Sequence, residues 1–319
     1  MTASASTVSS GHLHSVPDDL VQPFQIESSA LRGRLVRLGA ALDTILTQHD
    51  YPEPIAVMLG EAITLAALLA GALKYEGVFT LQTKGDGPLH LMVADVTSAG
   101  ALRGYAQFDR EKLDRLIVEG DAGALHGSVP RLLGAGYIAF TVDQGEHTER
   151  YQGIVELQGS SLTDCAHHYF RQSEQIQAGI KLAVGRDPTR GTWRAGGLML
   201  QRLPTESGRH FVDELEEDRW RRAMVLMSSS TVGEMLDPDL APNELLFRLF
   251  HEDGVRVYDA HDLAARCRCS RERVESVLRS LPEEDRTDLA VDGVIHVTCE
   301  FCNAQHVFAP EEIASGLTE

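Results

Sequence analysis

The sequence predicts an α+β chain in three unequal parts: a large domain of mixed sheet and helix, a helical linker, and a small cysteine-bearing module. Three observations carry this reading. Alternating apolar runs follow one another directly at residues 78–83, 89–96 and 101–108, and again at 136–142 and 150–157, as antiparallel strands do. Helical patterns are grouped rather than interleaved with those runs, which argues against alternating α/β architecture. Four of the five cysteines lie between Cys267 and Cys302, apart from everything else.

In chain order, residues 1–16 are small and polar and read as a disordered tail. No basic segment followed by an apolar run opens the chain, so no secretory signal is expected. Val21–Ile26 reads as an edge strand, where Pro23 is tolerated. Leu31, Leu35 and Leu38 fall at helical spacing and predict a helix with Arg32, Arg34 and Arg37 on a solvated face. Helical character continues through Leu42 to Leu46. Pro52 and Pro54 then introduce a long apolar helix over Ile55–Leu73. That run approaches the length that spans a bilayer. Glu61 sits inside it, however, and no aromatic or basic anchors flank it, so a buried core helix and no membrane association are expected.

Lys84-Gly-Asp-Gly-Pro88 joins two strand runs as a hairpin turn. It lacks the spacing of a phosphate-binding loop and no helix follows it. After the second strand pair, Ser161–Gln175 reads as a helix, and Ile180–Val184 and Gly197–Leu203 as strands. The first domain, residues 17–204, ends near Pro204. The linker, residues 205–258, opens with acidic Asp213–Asp218 and a thin apolar stripe through Trp220, Met224 and Met227, a composition that favours marginal helix stability. Asn243 is the expected cap of an amphipathic helix over Glu244–Phe250, and Gly254–Tyr258 a short strand. In the last part, residues 259–319, Ser270 is the expected cap of a helix whose inner face carries Val274, Val277, Leu278 and Leu281. Asp292-Gly293 marks a turn before a strand at Val294–Thr298, and Pro310 starts a final short helix.

Composition limits the function. Of 319 residues 43% are hydrophobic, enough for a substantial core, and the net charge of −18 would repel nucleic-acid phosphate unless a basic patch were set apart. Residues 270–319 carry four arginines, no lysine and eleven acidic groups, the reverse of a phosphate-binding surface. Five clustered and unevenly spaced cysteines do not resemble a secreted disulfide scaffold; they suggest a reducing, cytoplasmic compartment and a metal.

The cysteines themselves carry the strongest signal. Cys267-Arg-Cys269 is followed, after a spacer of 29 residues, by Cys299-Glu-Phe-Cys302. Two close thiolate pairs brought together across a loop are the usual way to build a tetrahedral four-cysteine zinc site. The expected ligands of a single Zn2+ are therefore Cys267, Cys269, Cys299 and Cys302, with His296 and His306 nearby as conceivable substitutes. A module of about sixty residues has little core of its own, and structural zinc contributes about 10–16 kcal/mol in small peptides, so metal loss is expected to unfold it. The site is open to two readings: an inert structural zinc, or thiolates open to oxidants and able to close as short disulfides.

Resemblance separates them. Cys267-Arg-Cys-Ser-Arg-Glu-Arg273 and Cys299-Glu-Phe-Cys302 resemble the motifs of the 33 kDa chaperonin (heat shock protein 33) family. Upstream, Arg32–Gly39, Leu81–Pro88, Arg103–Ala106, Tyr151–Val155, Tyr169–Gln175 and Leu245–Asp259 are similar to the same family in the same order, from about residue 20 to 310. A proline common in the family after Ser-Glu-Gln is missing here, where the chain reads Ser173-Glu-Gln-Ile-Gln177. The resemblance implies a redox-regulated, ATP-independent holdase of the bacterial cytoplasm, a binder of unfolded client proteins rather than an enzyme. The reduced zinc-bound form would be inactive. Oxidation would pair Cys267 with Cys269 and Cys299 with Cys302, release zinc, unfold the module and linker, and give an active homodimer.

Two other functions are weighed on the residues. Asp262–Leu281 resembles a helix-turn-helix, which would suit a zinc-stabilised, winged-helix-like nucleic-acid-binding regulator, but the local charge opposes it. A thiol–disulfide oxidoreductase built on Cys299 and Cys302 would need a strand-then-helix context that is missing. Cys165, beside His167 and His168, reads as a buried helix residue, with no partner carboxylate at a spacing that would make it a nucleophile.

Overall fold

The computed structural model describes residues 18–29, 31–119, 125–145, 150–174, 177–202 and 214–314. The tail expected over 1–16 and the domain boundary expected at Pro204 lie outside these residues. The elements run in chain order β1 (Leu20–Ile26), β2 (Leu31–Leu38), α1 (Ala40–Thr47), α2 (Glu53–Ala70), β3 (Val78–Gly85), β4 (Leu89–Thr97), β5 (Ala101–Phe108), α3 (Arg110–Glu119), α4 (Val129–Leu132), β6 (Gly136–Asp143), β7 (Tyr151–Glu156), α5 (Leu162–Tyr169), β8 (Ala178–Arg186) and β9 (Trp193–Arg202). Then follow α6 (Glu214–Ser229), α7 (Val232–Leu236), α8 (Pro242–Phe250), β10 (Val255–Val257), β11 (His261–Asp262) and β12 (Ala264–Ala265). The last part holds α9 (Arg271–Ser280), α10 (Glu283–Asp288), β13 (Ala290–Val291), β14 (Val294–Thr298), β15 (Gln305–Phe308) and α11 (Pro310–Ala314).

Two six-stranded sheets enclose α2. The first has the order β10-β1-β2-β9-β8, with β11 also on β1; the second has the order β12-β5-β4-β3-β6-β7. Every pairing in them is antiparallel except that of β12 with β5. The expected core helix is confirmed. Among the described residues α2 alone is long and apolar enough to cross a membrane, and 89% of it is buried between the sheets. The hairpin at Lys84–Pro88 is also confirmed. Its glycines let the turn lie on the backbone of residues 132–136, where a Cβ at Gly85 would come within 2.0 Å of the Leu133 carbonyl oxygen.

The segment Leu31–Leu38 is a strand, not the expected helix. Apart from exposed Arg32, β2 has apolar partners on both faces, so its apolar residues do not fall on one face and do not reveal the period of two. Leu31 and Leu35 face outward into a second core, while Val36 and Leu38 face α2. Arg37, expected in solvent, is 1% exposed on the outward face. Likewise β1 is not an edge strand: β2 lies on one side and β10 and β11 on the other. Pro23 is still accommodated, because its carbonyl accepts from Tyr258 N–H on the β10 side at 3.0 Å, away from the β2 ladder. The helix expected over Ser161–Gln175 is regular only to Tyr169 and continues as a π turn through Glu174.

That second core is the linker's seat. Trp220, Ala223 and Met227 of α6, Leu240, and Leu245, Leu246, Leu249 and Phe250 of α8 pack on Phe24, Ile26, Leu31, Leu35, Leu198 and Leu200 of the sheet. The N-cap of α8 is Ala241, with Pro242 in the first turn, rather than Asn243. Cations of the sheet take the carbonyls at the ends of the linker helices. Lys181 Nζ donates to Ser228 O at 2.7 Å and also to Ser230 O. Arg194 Nε donates to Leu236 O at 2.8 Å, and Arg37 donates to Asp237 O and, at 2.8 Å, to Leu240 O. Asp18 balances both arginines, 2.7 Å from Arg194 and 3.8 Å from Arg37.

Candidate metal centre

The last module folds around little. Its core is four buried side chains: Leu278 on α9, Ile295 on β14, Phe308 on β15 and Ile313 on α11. Ser270 caps α9 as expected, its hydroxyl accepting from Arg273 N–H at 3.2 Å. Val277, expected on the inner face, is 62% exposed; a three-stranded sheet this small covers only the stripe through Val274, Leu278 and Leu281. The Asp292-Gly293 turn joins β13 to β14 with both residues at positive φ, 53° and 81°, as a tight hairpin requires. Asp262–Leu281 contains strand fragments, the Cys267–Cys269 loop and the single helix α9, so no helix-turn-helix forms there.

Each cysteine pair sits where local structure holds it. Cys267 and Cys269 follow directly on β12 and precede the capped start of α9. Cys299 and Cys302 occupy the turn between β14 and β15, closed by Cys299 N–H to Ala304 O at 2.9 Å and Asn303 N–H to Cys299 O at 2.8 Å. Asn303, at φ 56°, supplies the left-handed step that turns the chain back. All four sulfurs then lie within 4.8 Å of one another. Across the pairs, Cys267 Sγ lies 3.7 Å from Cys299 Sγ and Cys269 Sγ lies 3.3 Å from Cys302 Sγ. With metal–sulfur bonds of about 2.3 Å, a tetrahedral site has sulfur–sulfur edges of about 3.8 Å, so the cluster has the size to hold an ion. His296 and His306 are not part of it.

The electrostatics agree. Burial opposes ionisation of Cys267, but the Cys269 backbone N–H and the neighbouring thiols outweigh it and pull this thiol down to about 7. Burial and the neighbouring thiols push Cys269 up; Cys302 is likewise raised, chiefly by burial. Four close sulfurs thus share protons unevenly, and a cation at their centre would relieve the mutual repulsion of the thiolates. A four-sulfur tetrahedral donor set suits zinc or iron. Cys165 lies elsewhere, fully buried on α5, with its thiol raised to about 11 by desolvation, as befits a packing residue.

One feature of the site escaped the sequence reading. The residue inside Cys267-Arg-Cys269 reaches back to the first domain: Arg268 Nη2 donates to Asp95 Oδ2 on β4 at 2.6 Å. Phe301, inside the other pair, lies over the Arg103 guanidinium, 3.7 Å from its ring centroid, and meets Tyr105 edge-on at 4.9 Å. Only the Arg103–Ala106 motif hinted that β5 mattered.

Comparison with known proteins matches this architecture. The family model described as Hsp33 protein covers residues 19–309. The 33 kDa chaperonin of Caulobacter vibrioides is 43% identical over 298 residues, 92% of this chain and 96% of that protein. The 33 kDa chaperonin of Pseudomonas fluorescens is 36% identical over 303 residues, 94% of each. The crystal structure of the 33 kDa chaperonin (heat shock protein 33 homolog) of Thermotoga maritima shares the fold, with a TM-score of 0.74 at 23% identity over 93% of this chain and 97% of that one. From this match, spanning both sheets, the linker and the cysteine module, the chain belongs to the Hsp33 family of chaperones.

Proposed function

We propose that this chain is a redox-regulated, ATP-independent holdase of the cytoplasm. Reduced, Cys267, Cys269, Cys299 and Cys302 would hold one Zn2+, which supplies the cross-link that the module's small core lacks. The observation that carries the reading is the pairing of a four-thiol cluster with a module whose own core, among the described residues, is a cluster of four buried side chains. The division into a core domain (17–204), linker (205–258) and switch (259–319) belongs to the same proposal.

Oxidation acts on the thiolates. With hypochlorous acid, two thiolates give a disulfide, chloride and hydroxide; two equivalents consume all four ligands. Pairing Cys267 with Cys269 and Cys299 with Cys302 closes only tiny loops and leaves the two halves of the module unconnected. Bridges along the short cross-pair approaches would instead close loops of more than thirty residues and staple the module, a stabilisation of about 3–4 kcal/mol by loop-closure entropy. Pairing within each motif, the arrangement the family resemblance implies, is compatible with release. Departure of the linker would then uncover the outward face of the first sheet, where Phe24, Ile26, Leu31 and Leu35 form an apolar surface for unfolded clients. An exposed face of this kind also suits a second copy of the chain, consistent with a homodimer on activation.

The test is zinc content measured against client protection. Reduced protein should carry one zinc per chain and leave a heat-denatured client to aggregate. After hypochlorite it should lose zinc, lose helical signal and suppress aggregation near stoichiometry, with Cys267–Cys269 and Cys299–Cys302 found by peptide mapping. Equal protection by the reduced and oxidised forms would overturn the reading.

A further inference from the structure

Each cysteine motif encloses one residue that leaves the module, and both residues end on the same spot of the second sheet. Asp95 of β4 is 4% exposed. Its Oδ2 accepts from Arg103 Nε at 2.7 Å and forms an ion pair with Arg103 Nη2 at 2.6 Å, and its Oδ1 accepts from the Thr80 hydroxyl at 2.6 Å, all within the sheet. Arg268 adds a further donor to the same Oδ2 oxygen, and Phe301 closes over the free face of Arg103. Asp95, Arg103 and Tyr105 thus form a socket, and Arg268 and Phe301 are the two prongs that fill it.

The socket has a property suited to reversible use. A buried carboxylate stripped of its only cation is strongly disfavoured. Here Arg103 stays with Asp95 when Arg268 leaves, so the emptied socket remains neutral and hydrogen-bonded, and withdrawal of the module strands no buried charge. The socket also adjoins the segment that leads to the linker. Immediately before Cys267, Ala264 N–H donates to Gly100 O and Arg266 N–H to Leu102 O, each at 2.9 Å, placing β12 on the edge of β5 next to Arg103. Upstream of β12, β11 and β10 lie on β1, and α8 precedes them.

We propose that this socket, gripping Arg268 and Phe301, is the autoinhibitory contact that transmits the state of the cysteines to the linker. Resting on the holdase reading above, it separates metal binding from restraint. The four thiols, holding a metal, would keep the module in the shape that presents its two prongs together, and the prongs keep residues 255–266 and α8 docked. Closing a disulfide around Arg268 or around Phe301 would re-aim each prong directly.

The test uses the full-length, reduced, zinc-loaded protein with Asp95→Asn on the socket side and Arg268→Gln and Phe301→Leu on the prong side. Zinc per chain, amide exchange of residues 255–266 and α8, and client aggregation are measured together. The expected result is unchanged zinc, exchange faster by roughly tenfold or more in 255–266, and client protection without oxidant. Zinc retained with wild-type exchange would overturn the proposal. So would loss of zinc from Arg268→Gln or Phe301→Leu, which would place those residues in upkeep of the cysteine site instead. If Asp95→Asn disturbs the sheet, the two prong variants, outside that sheet, carry the test. Failure of oxidised wild type to protect clients would sink the holdase reading alone, since exchange and zinc content report on the socket without any client.

Discussion

Phe250 ends α8 with its ring fully buried and stacked on Phe24 of β1, ring centroids 5.7 Å apart. It joins the linker helices to the outward face of the first sheet, in a core separate from the small one within the cysteine module. Phe250→Ala removes that ring and leaves a cavity between α8 and the sheet, a change worth about 3–5 kcal/mol in well-packed cores. If the linker opens as a unit of its own, the whole loss falls on that opening. Its equilibrium then shifts by roughly 100-fold to 4,000-fold, at about 1.4 kcal/mol per tenfold. Hydrogen exchange on the reduced protein reads this directly. Amides of α6 and α8 should lose protection by about two powers of ten or more, while those of β3 and β4 stay near wild type and zinc content is unchanged. Unaltered α8 protection, or an equal loss across both sheets, would refute the idea that the linker is a separately opening element.

Other expectations follow from the same geometry. Burial raises the Glu61 carboxyl on α2 from an ordinary 4.5 to about 7. Because the folded state keeps a proton that the unfolded chain has already released, stability is full below pH about 4.5 and falls as pH rises toward 7, by up to about 3 kcal/mol. Urea titrations should therefore show Glu61→Gln raising stability by up to that amount at pH about 8 and changing it little at pH about 4. Arg37→Met removes two charge-assisted hydrogen bonds to linker carbonyls, each worth about 1.5–3 kcal/mol, and should speed proteolysis near residues 237–240 in the reduced protein. Chelation should melt the cysteine module first; a far-ultraviolet signal that survives complete metal removal unchanged would argue that the four-residue core suffices. Under the same chelation at pH about 8, iodoacetamide should modify the four clustered cysteines and spare buried Cys165 until denaturant is added.

Where the sequence reading succeeded, the signal was local. Strands with one polar row, such as β3 and β5, declare their period, and Gly-Asp-Gly announces the turn after β3. Ser270 and the Asp292-Gly293 pair specify a cap and a hairpin through chemistry that acts over three or four residues. The thiol cluster is legible for the same reason: thiols spaced by one and two residues need only a hairpin and a helix start to converge. The residues of Leu31–Leu38 predict a helix because their partners on both sides, α2 inside and α6 and α8 outside, are distant in sequence. The residue identities there look helical until both partners are present.

By itself, then, the sequence determined the α+β class, the buried α2, the four thiols and the family they resemble, since each depends on short-range pattern or residue chemistry. What those thiols are joined to depends on contacts between segments far apart in the chain. Asp95 and Arg268 are 173 residues apart in the chain, and Arg37 reaches carbonyls 200 and 203 residues away. No periodicity encodes such pairs. They arise because two sheets folded around one apolar helix present a charged socket on one side and an apolar face with guanidinium clasps on the other. The cysteine module and the linker are held where those two surfaces find complementary charge and shape.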